Sequence, residues 1–375
     1  MNSILPQQDI LIFIAFSLSV ICGLFTIPLI MRFCRSKGLY DHPGGRKVHK
    51  TDVPRLGGIS FFPIMVLAAL VIILTHNKES GMDNKISLST WTLTFLFSIL
   101  IVYCVGIVDD IIGLGAKTKF LVQIVAALAL PLSGLYINHL YGFLGIWDIP
   151  YSVGLPLTVF VIVFACNAIN LIDGIDGLSS GLSFVALAGF LALFMRDDLF
   201  FYSVLIAGLM GVVTAFAYFN IFGSAKKQHK IFMGDSGSLT LGFILGFLFV
   251  KHVMWNPSSG IYHEDALSSA LSLVVVPMFD VVRVSMARLA HHRHVFQADK
   301  NHIHHKLMRF GLSQHQALCA ILALALLFIA LHSLLYPRIG TTLTVAADIA
   351  VWTLLNHLLN MGIRSKGQLP FVERN

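Results

Sequence analysis

The chain has 375 residues, of which 56% are hydrophobic and 12% charged, and its formal net charge is +7. A mean hydropathy of +0.80 argues against a soluble globular protein. The basic excess is spread over short segments between apolar stretches, so we expect membrane lipids and anionic ligands as partners, and no nucleic acid.

Long stretches without charged side chains predict membrane-spanning helices. The segments 10–31, 120–147 and 313–336 contain no Lys, Arg, Asp or Glu, and roughly 20 apolar residues suffice to cross a bilayer. The first stretch lacks the basic flank and the cleavage site of a signal peptide, so we expect a retained helix. We predict an all-α integral membrane protein, a single polytopic unit over 1–375. Its eleven helices are expected near 10–32, 58–75, 90–108, 119–136, 152–168, 180–195, 199–222, 237–252, 266–287, 314–336 and 341–360.

Eleven spans divide the connecting loops into two sets on opposite sides of the membrane. With the adjoining helix ends, one set carries all but five of the 26 Lys and Arg residues. The positive-inside rule makes that set cytoplasmic and places the N-terminus outside. It comprises loops 33–57, 109–118, 169–179, 223–236 and 288–313, and the tail 361–375.

The acidic residues gather in short runs at the ends of apolar segments. Asp109 and Asp110, then Asp173 and Asp176, and then Asp235 all fall in the predicted cytoplasmic set. A carboxylate at the edge of a bilayer is costly unless it holds a cation, a proton or a partner. The pattern predicts one ionic site that is open to one aqueous face.

Four motifs surround these acids. In GGRKVHKTDVPRLGG (44–58), cations such as Lys47 lie between glycine pairs, which suits a phosphate ligand or, alternatively, anionic lipid headgroups. In GIVDDIIGLGAKTK (106–119), the adjacent carboxylates should be metal-bound, paired with Lys119 or protonated, or else form a solvated helix end. In NAINLIDGIDGLSSG (167–181), Asn170, Asp173 and Asp176 share a face if the segment is helical, although its glycines also permit a loop. In KIFMGDSGSLTLG (230–242), Asp235 stands at a predicted helix N-terminus.

A histidine-rich segment, HHRHVFQADKNHIHHKLMR (291–309), completes the set. His302, His304 and His305 lie in a predicted cytoplasmic loop with Arg293. Donation to phosphate oxygens fits this composition better than zinc binding, and pH sensing is a third reading. Within the spans, Asp280 and Arg283 are expected to pair, whereas Asp348 has no evident partner.

Clustered carboxylates, cations and glycine-rich turns are what phosphoryl transfer requires. A site at a membrane boundary favours an amphiphilic acceptor. The alternative class is an ion-coupled membrane transporter, but transporters place such residues near the bilayer midplane, and here the acids lie at one face.

Four short motifs within these segments resemble those of the polyprenyl-phosphate N-acetylhexosamine-1-phosphate transferases. They are DD (109–110), NLIDGIDGLS (170–179), FMGDSGS (232–238) and HIHH (302–305). The resemblance runs from about residue 38 to 310. It implies a Mg²⁺-dependent enzyme (Mn²⁺ is the alternative) in the bacterial inner membrane, and a homodimer. Such an enzyme moves a sugar 1-phosphate from a UDP-N-acetylhexosamine to undecaprenyl phosphate and releases UMP. The HIHH form is similar to the branch that uses UDP-N-acetylglucosamine for O-antigen, teichoic acid or related polymers. Consecutive histidines would indicate the phospho-MurNAc-pentapeptide transferase of peptidoglycan synthesis, which is kept as an alternative.

The resemblance also implies roles for individual residues. Asp235 would be the main metal ligand, with Asp109 or Asp110 close by, and Asp109, Asp110 and His302 would form the catalytic set. The remaining residues would bind substrates: Lys47, Lys119, Asn170, Asp173, Gly174, Asp176, Phe232, Arg293, His304 and His305.

Overall fold

The computed structural model describes residues 5–41, 52–79, 88–257, 261–294 and 300–372. This part of the chain is a helical bundle with two short β-hairpins. Nine of its helices are long and apolar enough to cross a membrane. The predicted all-α membrane fold is therefore confirmed, while the count of eleven crossings and the cytoplasmic face of the site remain predictions.

The described residues form eleven helices, in chain order α1 (Leu5–Lys37), α2 (Phe61–Glu79), α3 (Thr90–Ile112), α4 (Ala116–Leu132), α5 (Tyr151–Ile172), α6 (Leu178–Arg196), α7 (Phe200–Ile221), α8 (Asp235–Val253), α9 (Ala266–Ala290), α10 (Ile303–Phe310) and α11 (Gln314–Ser365). A 3₁₀ turn, Gly57–Ser60, leads into α2. The antiparallel hairpins pair β1 (Tyr40–Asp41) with β2 (Val53–Pro54), and β3 (His139–Phe143) with β4 (Ile146–Asp148).

Each predicted span falls on a helix, with ends displaced by a few residues. The last two spans form one element, α11, which is interrupted where Gly340 adopts φ +71 and ψ 175. The chain folds back at this interruption, and the two arms of α11 run antiparallel. This is shown by the hydrogen bond between His332 of the first arm and Asp348 of the second. The short helix α10 and the hairpins were not predicted, since none of them carries a long apolar run.

Helices α7 and α8 form the centre of the bundle. Every residue from Ser236 to Val250 is buried, as expected of a helix that is apolar on all sides. Two glycines let α8 approach the α5 backbone closely. A Cβ at Gly242 would lie 2.6 Å from Cys166 Cα, and one at Gly246 would lie 2.8 Å from Ile162 Cα. This small-residue packing fixes where the first turn of α8 lies.

Candidate active site

A recess of about 370 Å³ opens at the end of the bundle where α3 and α5 end and α8 begins. It gathers acidic side chains from segments far apart in the chain. Its lining includes Asp41, Arg55, Asp109, Asp110, Asp173, Gly174, Asp176, Asn220, Phe232, Gly234, Asp235, His305 and Gln314.

Asp110 fastens the first turn of α8 to the last turn of α3. Its carboxylate is 4% exposed, and it accepts the backbone N–H groups of Asp235 at 2.8 Å and Ser236 at 2.9 Å. The residue before α8 is Gly234, whose φ of +76 favours glycine. A Cβ there would also lie 2.5 Å from an Asp110 oxygen. A carboxylate from another helix therefore accepts the free N–H groups of the first turn, as an N-cap side chain usually does.

Two more glycines hold backbone segments against the same turn. A Cβ at Gly58 would lie 2.1 Å from the backbone of Gly237, and one at Gly106 would lie 2.5 Å from Ser236 Cα. The Gly58 N–H also donates to the Met233 carbonyl at 2.8 Å. Gly58 and Gly106, from the first two motifs, thus allow the close packing that positions Asp235.

Lys119, at the start of α4, bridges two of the carboxylates. Its Nζ lies 2.5 Å from Asp235 Oδ2 and 3.2 Å from Asp109 Oδ2. Asn170 donates to the other Asp235 oxygen at 3.1 Å and to Ser238 Oγ at 2.8 Å. The ammonium partly neutralises two acids that would otherwise repel each other.

The loop after α5 presents Asp173 to the recess. Its side chain is accessible from the recess, yet desolvation by the surrounding protein, with the negative charges of Asp235, Asp176 and Asp110, raises the pKa of Asp173 to about 7. Asp176 pairs with Lys230 at 2.5 Å. For the segment 167–181, the sequence allowed either a helix or a loop. In the structure it is helical at Asn170, and a loop begins at Asp173.

Asn220, at the end of α7, holds this loop in place. Its Oδ1 accepts the N–H of Gly177 at 2.7 Å, and its Nδ2 donates to the Ile231 carbonyl at 2.9 Å. Asn220 is 5% exposed. One buried amide therefore ties the loop after α5 to the segment that precedes α8.

The histidine motif forms the start of α10 and is held by α9. Asp280 accepts from His302 Nδ1 at 2.8 Å, from the Ile303 N–H at 3.0 Å and from Arg283 at 2.6 Å. The expected Asp280–Arg283 pair is thus confirmed, and it belongs to a larger network. These contacts fix the position at which α10 begins.

His304 packs behind the recess wall. It is 1% exposed, and a Cβ at Gly174 would lie 2.2 Å from its Nε2. Neither ring nitrogen has a hydrogen-bond partner among the described residues. Desolvation, with the nearby His305 and His302, holds the pKa of His304 well below its ordinary value. Its neighbour His305 lines the recess directly.

The structure brings together most of the predicted site residues. Asp109, Asp110, Asp173, Gly174, Asp176, Phe232, Asp235 and His305 line the recess, and Lys119, Asn170 and His304 contact residues that do. In the described part of the chain, His302 and Arg293 do not line it. Lys47 lies outside the described residues.

Sequence reasoning left out Arg55 as an individual site residue. Its side chain lines the recess, and its Nε is buried with no hydrogen-bond partner in the described part of the chain. A buried N–H of a guanidinium without a partner is costly, which suits an anion that would enter the recess. The available signal was its position in PRLGG, two residues before the glycine pair.

The donor set of the recess suits a hard divalent cation. In the described residues, no three His, Cys, Asp or Glu side chains come close enough together to hold a metal by themselves. Magnesium in phosphoryl-transfer sites commonly uses one or two carboxylates and completes its shell with water and substrate phosphates. Asp235 and Asp109 fit that requirement, because each has one oxygen that is held only by the long side chain of Lys119. Both Asp110 oxygens instead accept backbone N–H groups of α8.

Comparison with known proteins gives relatives of similar length. The profile of glycosyl transferase family 4 matches residues 91–253. A probable undecaprenyl-phosphate N-acetylglucosaminyl 1-phosphate transferase of Bacillus subtilis is 32% identical, over 86% of this chain and 85% of the relative. Undecaprenyl-phosphate alpha-N-acetylglucosaminyl 1-phosphate transferases of Yersinia pestis (30% identical, 77% of this chain, 75% of the relative) and Escherichia coli K12 (28%, 79% and 76%) are also similar.

Proposed function

Because the chain belongs to glycosyl transferase family 4 and its undecaprenyl-phosphate N-acetylglucosaminyl 1-phosphate transferases, we propose that it transfers N-acetylglucosamine 1-phosphate to undecaprenyl phosphate. The donor in this proposal is UDP-N-acetylglucosamine, and the second product is UMP. The lipid-linked sugar diphosphate would serve cell-envelope polymer synthesis. The observation that carries the proposal is the convergence of six aspartates, Lys119 and Arg55 in or beside one recess at one end of a membrane bundle.

The cofactor in this proposal is Mg²⁺, with Mn²⁺ as the alternative. Asp235 would hold it, assisted by Asp109. When bound, the ion would neutralise donor phosphate charge. The metal role predicted for Asp110 remains a prediction. The helix-capping geometry gives that carboxylate a positioning role as well.

The acceptor phosphate needs charge neutralisation more than it needs a base. A phosphate monoester has a second pKa near 6, so it is largely dianionic at neutral pH. Its oxygen would attack the β-phosphorus of the donor, and the bond from that phosphorus to the bridging oxygen would break, with the electron pair leaving on UMP. Repulsion between acceptor and donor phosphates is the main obstacle. Lys119 and Arg55 are placed to reduce it.

Other recess residues would orient the donor. Phe232 is fixed by its main chain, which donates to the Pro54 carbonyl at 2.7 Å and accepts from the Gly57 N–H at 2.9 Å. Its position in the lining suits stacking on the uracil ring. His305 lines the recess and would contact the diphosphate or the sugar. The substrate contact predicted for His304 stays a prediction, because its ring is buried behind Gly174.

The recess in this proposal faces the cytoplasm, where nucleotide sugars are made. The basic residues concentrated in the loops at this end support that orientation. A C-terminus on the same side and an N-terminus on the other side follow from it. The apolar helices and the bacterial relatives support a multi-pass protein of a bacterial membrane. The homodimer implied by the family resemblance stays a proposal.

The test is UMP release by purified protein in detergent with Mg²⁺, undecaprenyl phosphate and UDP-N-acetylglucosamine. Asp235→Asn should abolish release. Asp148→Asn should not, because Asp148 is an exposed carboxylate, 75% accessible, on β4. Absence of UMP from folded wild-type protein would favour the transporter reading, and release from another UDP-sugar alone would change the donor.

A further inference from the structure

A second cavity, which we call the α10–α11 groove, lies between α10 and the two arms of α11. It encloses about 340 Å³, and its walls are almost entirely apolar. Leu307 and Phe310 come from α10, Ile321 and Leu324 from the first arm of α11, and Leu355 and Leu359 from the second. A cavity of this size with apolar walls suits hydrocarbon.

Polar groups are buried in and directly beside the lining of this groove. Lys306 is 3% exposed, and its Nζ makes one hydrogen bond within the described residues, to Asn356 Oδ1 at 3.3 Å. Asn356 itself lines the groove. So does Trp352, which is 5% exposed and whose indole N–H has no partner among the residues described.

Trp352 and Asn356 line the groove, and Lys306 lies directly behind its lining, where its amine bonds Asn356. Ile303, Lys306, Leu307 and Phe310 follow the spacing of a single helical face. On the second arm, Trp352, Leu355, Asn356 and Leu359 do the same. The amine and the indole N–H are therefore set among the side chains that form the groove.

The charges around Lys306 favour a negative partner. Desolvation, with the cations Arg283 and Arg309, lowers the pKa of Lys306 to about 7. The carboxylate of this group, Asp280, already accepts from Arg283, His302 and the Ile303 N–H. An ammonium has three donors, and an amide oxygen satisfies one of them. A buried cation in this position is stabilised by an added anion.

We propose that the α10–α11 groove binds an anionic phospholipid, with a headgroup oxygen at Lys306, Asn356 and Trp352 and an acyl chain along the apolar walls. The groove lies beside long apolar helix faces, including exposed Leu354, Leu358 and Met361, so membrane lipid reaches it directly. A net negative headgroup fits better than a zwitterionic one, whose phosphate is already compensated by its own cation.

This site is separate from the carboxylate recess, although both use α10. His304 and His305 are on the recess side of that helix. Lys306 and Leu307 are on the groove side. The proposal therefore does not depend on the transferase function, and it can be tested without any turnover.

Trp352 provides a direct readout, because brominated acyl chains quench indole fluorescence on contact. The protein would be reconstituted in nanodiscs with a small fraction of brominated phosphatidylglycerol or of brominated phosphatidylcholine with the same chains. The contribution of Trp352 is the difference between wild type and Trp352→Phe. We expect the Trp352 signal to be quenched at about fivefold lower mole fraction of the anionic lipid, the preference that one basic residue near a membrane provides.

Lys306→Met should remove this preference while leaving quenching by both lipids. Lys227→Met, which removes an exposed cation in the loop between α7 and α8, should keep it. Equal quenching by the two lipids in wild type would overturn the proposal, as would a preference that survives in Lys306→Met. Trp352 quenching that shows no lipid preference and decreases as more protein copies are placed in each disc would also overturn it, because a second copy would then fill the groove. The wild-type comparison needs no variant and decides the question even if Lys306→Met fails to fold.

Discussion

The Asp110 carboxylate accepts the backbone N–H of Asp235 at 2.8 Å, so one acidic residue positions another that follows it 125 positions later. The same carboxylate also accepts the N–H of Ser236 at 2.9 Å. The end of α3 and the start of α8 are thereby locked together. In the proposed reaction, Asp235 would bind the metal ion, and Asp110 would position Asp235.

Asp110→Asn is expected to reduce both stability and activity. An amide can accept at one atom only, so its NH₂ would face a helix N–H and leave it unsatisfied. The loss of a cap together with a buried unpaired group should cost about 1–3 kcal/mol of unfolding free energy. Thermal unfolding and UMP release would measure the two effects, with Asp148→Asn as the control.

The Mg²⁺ dependence of Asp110→Asn separates positioning from metal binding. If Asp110 acts through Asp235, the variant should have a lower kcat and a similar Mg²⁺ concentration for half activity. A large rise in that concentration, with unchanged thermal stability, would instead make Asp110 a metal ligand.

Lys119→Met should lower kcat by about 100-fold, the cost of removing one well-placed charge-stabilising group. The same variant should reach half activity at a lower Mg²⁺ concentration. Lys119 lies 2.5 Å from Asp235, so its removal leaves the carboxylates more negative toward the ion. Lys117→Met, two residues earlier and exposed, serves as the control. A raised Mg²⁺ requirement in Lys119→Met would contradict this account of the bridge.

Gly174→Ala should inactivate the enzyme by displacing His304. The added Cβ would lie 2.2 Å from the imidazole Nε2, well inside contact distance, so the loop or α10 must move. Gly115→Ala is the matched control, because its Cβ meets nothing within 4 Å and its φ of −65 is ordinary. Activity measurements on both variants decide the matter, and wild-type activity in Gly174→Ala would refute the packing argument.

The pKa of Asp173, raised to about 7, predicts a pH-dependent metal requirement. Because this folded-state pKa lies above the ordinary value near 3.9, ionising Asp173 costs folding free energy as the pH rises from about 4 to 7. A bound cation offsets that cost. The Mg²⁺ concentration for half activity should therefore fall as the pH rises from 6 to 8.

Asp173→Asn should flatten that profile, since the amide does not titrate. The substrates titrate as well, so the informative quantity is the difference between wild type and variant at each pH. Identical profiles in the two proteins would show that Asp173 does not influence the ion.

Much of this arrangement could be predicted from the sequence. Apolar run length predicted the helices, because hydrocarbon thickness imposes a minimum length. The Asp109–Asp110 pair, Asp173 and Asp235 could be assigned to one end of the bundle by counting spans, since each run follows or precedes an apolar segment.

The partners of these residues could not be predicted in the same way. Asp110 with Asp235, Asn220 with Gly177 and Ile231, and His332 with Asp348 are contacts between segments whose relative rotation the sequence does not specify. Asp348 illustrates the point. It has no partner within its own helical neighbourhood, and it finds one only because Gly340 turns α11 back on itself.

The most direct test of the proposed reaction follows both halves of the transferred group. UDP-N-acetylglucosamine labelled in the sugar and, with a second isotope, in the β-phosphorus would be incubated with purified protein, Mg²⁺ and undecaprenyl phosphate. We predict that both labels enter the lipid fraction in equal amounts, matched by UMP, and that neither does so with Asp235→Asn. Sugar label in the lipid without the donor phosphorus, or equal transfer by Asp235→Asn, would contradict transfer of a sugar 1-phosphate at this site.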